Sequence, residues 1–169
     1  MDEARFGQQG TLTRVWAPRG SRPTAVKQTR YEWVYLYAAV EPATGASVAL
    51  QAPHVNTETM SVFLRMLAEE LGADEHAILV MDQAGWHVSR SLKVPDSITI
   101  LLLPPYSPEL NPIERLWAYL RSHFLSNRAY EGYEHLLDAS ATAWREMGPE
   151  LLRSVCACDY VDATPEKER

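Results

Sequence analysis

Two carboxylates stand where their oxygens could serve a metal ion or a reacting group. Asp82 closes the apolar run Ala77–Met81, and Gln83, Ala84 and Gly85 then turn the chain. An aspartate at the carboxyl end of a buried strand lies where open α/β sheets hold their ligands. The plainer use of such a residue is to cap its own turn. Glu114 follows after an interval of thirty-one residues, 83 to 113. Asn111 suits an N-cap, Pro112 the first helical position and Glu114 the third. The plainer use of Glu114 is therefore half of a capping box, favoured also by the helix dipole. Carboxylate oxygens are the donors that hard divalent cations take, and one alone is a weak ligand.

The elements that must position these groups are legible from periodicity. Ile98–Leu103 is an unbroken apolar and β-branched run apart from Thr99, expected as a strand buried on both faces. Pro104 to Pro112 is a stiff loop with four prolines. Ile113, Leu116, Trp117, Leu120 and Phe124 then recur at helical spacing as a buried stripe. Upstream, Gly10 to Ala17 reads as a short strand, with Trp16 as a packing residue, and Pro18 to Pro23 as a loop. Glu32–Val40 and Ala46–Gln51 read as a hairpin about the turn Glu41–Gly45. Asn56 caps a helix of about fifteen residues with Met60, Phe63, Leu64, Leu67 and Leu71 inward, closed by Gly72. A short helix is expected at Trp86–Leu92. A last helix spans Gly132–Met147, with Leu136, Leu137, Ala141 and Trp144 inward, broken by Gly148-Pro149. Strands in an antiparallel meander, then helix, strand, helix, strand and helices, make the ribonuclease-H-like order: an α/β fold with a mixed sheet flanked by helices.

At 169 residues the chain has room for one well-packed domain. No apolar stretch is long enough to span a membrane, and no leader pattern is seen, so no membrane partner is expected. Cys156 and Cys158 suit neither a disulfide framework nor a zinc site, and are expected as reduced, at least half-buried thiols. The net charge is −6. Residues 1–30 balance to +4, through Arg5, Arg14, Arg19, Arg22, Lys27 and Arg30 against Asp2 and Glu3, and the rest to −10. A second basic patch comprises Arg115, Arg121, His123 and Arg128. Phosphate contacts supply most non-specific DNA affinity, so an acidic chain with local basic patches should bind DNA weakly alone.

The two carboxylate stretches, MDQAGWH and LLPPYSPELNPIERLW, resemble the catalytic domain of mariner-type insertion-sequence transposases, in the DDE endonuclease superfamily. Asp2-Glu3-Ala4-Arg5-Phe6-Gly7 matches that family's first-strand motif, and Trp16-Ala17-Pro18-x-Gly20 the segment after it. The resemblance spans Asp2 to about Tyr160. It implies a third carboxylate, Asp2, on a strand Asp2–Phe6, and a catalytic and metal-binding set of Asp2, Asp82 and Glu114. It implies two Mg²⁺ ions, with Mn²⁺ as a substitute, and cleavage and strand transfer of double-stranded DNA by a homodimer on paired transposon ends, in the bacterial cytoplasm or on its nucleoid. His87 matches a family histidine and, with Arg115 and Arg121, is a candidate phosphate contact. Gln83 stands where the family more often has Asn. Glu3, pointing away from Asp2 on a strand, is not counted. The family's helix-turn-helix region is missing, and the first strand is cut just before Asp2. The expected domain is 1–161 with a frayed tail at 162–169. The alternative to an enzyme is an inactive remnant with only a structural or DNA-binding role.

Overall fold

The computed structural model describes residues 1–10, 12–24 and 26–158. Strands β1 (Asp2–Gly7), β2 (Trp33–Val40) and β3 (Ser47–Ala52) form an antiparallel sheet in the order β1-β2-β3. In its register Asp2 faces Ala38, Glu3 faces Tyr37, and Val40 faces Ser47. Strands β4 (Ala77–Met81) and β5 (Ile98–Leu102) form a separate parallel pair. The expected mixed sheet is thus two hydrogen-bonded sheets, bridged where the Met1 backbone nitrogen donates to Val80 O at 2.9 Å.

Helix α1 (Thr57–Glu69) starts as expected, with the Asn56 side chain accepting from Thr59 N. It covers one side of both sheets, where Met60, Phe63 and Leu64 pack with Tyr37, Leu79, Met81 and Ile98. Helices α2 (Ile113–Leu120), α3 (Tyr133–Arg145) and α4 (Pro149–Cys156) cover the other side of the antiparallel sheet. Ala4, Phe6, Val34 and Leu36 meet Leu116, Trp117, Leu136 and Leu152 there. Alternation along β1 therefore sends Ala4 and Phe6, and with them Asp2, toward α2. Cys156 and Cys158 are buried free thiols.

Several local expectations are overturned. Residues 12–17 form no strand. Among the described residues no strand pairs with them, and Trp16 is fully exposed instead of packed. The connection from β1 to β2 is strapped sideways at two places: Thr13 N donates to Asn127 Oδ1 at 3.1 Å, and Gln28 Nε2 to Tyr130 O at 2.6 Å. Residues 86–92 make separate turns, not a helix. Strand β5 is covered on one face only. Its Leu101 is 54% exposed and Ile78, on the same face of β4, 69%. An apolar run does not reveal how many of its faces find partners.

The inward stripe of α2 also departs from simple helical spacing. After Leu120 the chain widens into one π-helical turn, Arg121–Leu125. That turn carries Leu125 into the core and leaves Phe124 half-buried. On α3 the buried face is Leu136, Ala139, Ser140 and Ala143, while Leu137, Ala141 and Trp144 are half-buried. Ser140 can be buried because its hydroxyl donates to Leu136 O and accepts from Gln51 Nε2 at 2.7 Å. Gly148-Pro149 ends α3 but begins α4, where proline fits the first turn. The expected tail 162–169 lies outside the described residues.

Candidate active site

Asp82, Asp2 and Glu114 line one open cleft of about 440 Å³. Three elements meet there. The parallel ladder carries β4 out to Asp82, and Leu103 N donates to Met81 O at 2.8 Å just beyond β5. Gln83 Nε2 donates to Leu103 O at 2.8 Å, so this residue has a defined structural use despite its departure from Asn. The wall opposite is the proline loop from Leu103 to Pro108. In it Tyr106 takes a left-handed φ of 57° and is fully exposed. A 3-10 turn, Pro108–Leu110, then delivers the chain to α2.

The capping expectation at α2 fails in an informative way. No side chain caps this helix. Asn111 is buried, and its Nδ2 donates to Met1 O at 3.1 Å, tying the start of α2 to the start of β1. Glu114 is consequently an exposed carboxylate in the first turn, outside any capping box. Asp82 does serve its own turn, accepting from Ala84 N at 3.0 Å. Its side chain is nevertheless 57% exposed to the cleft.

The carboxylates differ in environment. Trp117 Nε1 donates to Asp2 Oδ2 at 2.9 Å. Burial raises Asp2 from 3.8 to about 6; the Trp117 and Glu3 hydrogen bonds offset this in part, and the charges of Glu114 and Glu3 add to it. Asp82 Oδ1 is held at 2.7 Å by His87 Nδ1, and His87 Nε2 meets Glu3 Oε1 at 2.9 Å. Burial works against the charged form of His87, but the hydrogen bond and charge of Glu3, with Asp82, prevail and raise its pKa.

Two residues stand otherwise than the sequence suggests. His87 is buried, with both ring nitrogens on carboxylates, so it has none to offer a phosphate. Glu3, which the resemblance does not count among the site residues, is the partner that orients it. Its strand face was read correctly, but a side chain on that face reaches the cleft through a second residue, which spacing does not reveal. Arg115 is exposed beside Glu114. Arg121 lies over the Phe6 ring, 5.3 Å from its centroid, and is half-buried.

The donor set suits a hard divalent cation, being three carboxylates on one cleft. Among the described residues, no three His, Cys, Asp or Glu side chains already stand at ligating distances.

The model of the DDE superfamily endonucleases matches residues 1–137. The chain belongs to that family. A protein of Sinorhizobium fredii (strain NBRC 101917 / NGR234), named "uncharacterized protein y4pE/y4sA", is 42% identical over 115 residues, 68% of this chain and 85% of that protein. The Mos1 mariner paired-end complex with Mn matches with a TM-score of 0.67 at 18% identity, over 92% of this chain and 50% of that one. The Mos1 strand transfer complex matches with a TM-score of 0.62, also at 18% identity, over 91% and 48%. These likenesses establish the ribonuclease-H-like fold, and the chain spans about half the length of the Mos1 chains.

Proposed function

We propose that this chain is the catalytic domain of a DNA transposase, with Asp2, Asp82 and Glu114 as the residues that hold two Mg²⁺ ions. The observation that carries this reading is the convergence of the three carboxylates, from β1, β4 and the first turn of α2, on one cleft of a DDE endonuclease fold. When bound, such ions supply Lewis acidity to the attacking water or DNA 3′-hydroxyl and to the departing oxygen. The chain's own part is positional. Asp2 and Asp82 come from two strands, and each is anchored through one oxygen. Glu114 extends from α2 into the open cleft. The proline loop gives the cleft a stiff wall against which a DNA strand can lie.

Duplex DNA is the proposed substrate, transposon end and target alike, bound as a homodimer in a bacterial cytoplasm. The paired-end and strand-transfer complexes of Mos1 support that reading by analogy of fold. Arg115 is the proposed phosphate contact beside the site. The test is nicking of supercoiled duplex DNA with Mg²⁺ or Mn²⁺. Cleavage by the wild type that is abolished in Asp82→Ala and Glu114→Ala supports the proposal. Cleavage that survives both substitutions sinks it.

A non-catalytic remnant is the second reading. It is favoured by the Asp2 carboxylate being turned onto Trp117 and by the absence of a ready ligand triad among the described residues. Calorimetric titration of Mn²⁺ separates the two. Saturable binding lost in Asp82→Ala supports the enzyme, and no binding in either protein supports the remnant.

A further inference from the structure

The Glu3 side chain is joined to the cleft residue Asp82 through His87. The two sheets share no backbone ladder: β1 ends one and β4 begins the other. The carboxylates that must act as a pair, Asp2 and Asp82, therefore sit on separately hydrogen-bonded units. Backbone bonding between those units includes Met1 N to Val80 O. The side-chain connection is Glu3 Oε1 to His87 Nε2 at 2.9 Å and His87 Nδ1 to Asp82 Oδ1 at 2.7 Å. The His87 side chain is fully buried and that of Glu3 is 5% exposed, so solvent does not compete for the bond between them, while Asp82 opens onto the cleft from its other side. Glu3 is bonded covalently to Asp2, the residue to be placed, and His87 follows Asp82 by five positions. A rigid link thus joins the two carriers a few bonds from each carboxylate.

We propose that Glu3 and His87 form a positioning clamp that sets Asp82 against Asp2, so that Glu3 acts on the metal site through geometry without being a ligand. This rests on the reading that Asp2 and Asp82 hold the ions. Outer hydrogen-bond partners of this kind change metal affinity by roughly 10- to 100-fold when removed. Two substitutions distinguish position from charge. Glu3→Gln removes the charge but keeps length and hydrogen bonding, since an amide can accept from or donate to the imidazole. Glu3→Asp keeps the charge but withdraws the carboxylate by one methylene.

The experiment is calorimetric titration of Mn²⁺ into the full chain and its variants, with thermal unfolding recorded for each. The clamp predicts Glu3→Gln within a few-fold of wild type and Glu3→Asp weaker by roughly 10-fold or more. His87→Asn cuts the connection from the other side, and the same weakening is expected there should Glu3→Asp fail to fold. Wild-type affinity in folded Glu3→Asp or in His87→Asn overturns the clamp alone, provided Asp82→Ala has lost binding. Weakened Glu3→Gln with intact Glu3→Asp also overturns it, in favour of a charge effect. No saturable binding in the wild type, or unchanged binding in Asp82→Ala, overturns the metal reading itself and the clamp with it.

Discussion

Asp2 is the residue whose protonation should be most visible. Its raised pKa, about 6, comes first from burial. The folded protein holds this proton more tightly than the unfolded chain. Stability therefore falls as pH rises from 3.8 through about 6, by ~3 kcal/mol at full effect. His87 acts in the same direction, because its raised pKa gives stability that is present below 6.5 and lost as pH rises through the folded value. Asp2→Asn removes this titration, so in the ion-free protein the fall in melting temperature from pH 4 to pH 6 should be shallower in Asp2→Asn than in the wild type, as scanning calorimetry would measure. Metal binding requires the ionised carboxylate, so Mn²⁺ affinity should drop as pH is lowered through 6 and level off above it. Trp117→Phe keeps the buried ring but removes the donor to Asp2 Oδ2. That pH midpoint should then move upward, with a stability loss of ~1 kcal/mol in urea titration.

Among the elements, the β2–β3 turn and α4 constrain each other closely. Gly45 has a φ of 78°, and a Cβ there would run into the backbone carbonyl of Pro149. Gly45→Ala combines left-handed strain with that collision, and should cost at least ~2 kcal/mol in chemical denaturation while leaving the cleft residues in place. The π-helical turn after α2 is the other element whose geometry matters. It lets Leu120 and Leu125 both reach the core while Arg121 stacks on Phe6 and Asn127 straps Thr13. Helical spacing from Ile113 to Leu120 was readable because those residues face the sheet at regular intervals. The widened turn was not, since it answers to what the following loop must meet.

On the scale of the molecule, an excess of six negative charges opposes DNA binding. The residues that favour it are local: the exposed Arg14, Arg19, Arg22, Lys27 and Arg30, and Arg115 near the cleft. Binding of a short duplex, read by fluorescence anisotropy, should be weak and steeply salt-dependent. With two or three phosphate contacts, affinity should fall roughly 10- to 40-fold between 50 and 200 mM salt. Arg115→Ala should lower that salt slope by about one contact. No helix among the described residues is long and apolar enough to cross a membrane.

Much of this protein was determined within short stretches of sequence. The β2–β3 hairpin, the Asn56-capped helix, the apolar strands at 77 and 98 and the helix at Ile113 all follow from periodicity and turn chemistry, which depend on neighbours along the chain. Asp82 and Glu114 were marked by the same local signals, and Asp2 by family resemblance. What only the tertiary structure decided are contacts between residues far apart in the chain. Asn111 abandons its cap for Met1, 110 residues away, and Trp117 finds Asp2 across 115. Glu3 finds His87 across 84 residues. A buried polar atom bonds to whichever partner the packing brings within 3 Å, and that choice is made by the arrangement of sheets and helices, not by the residues on either side.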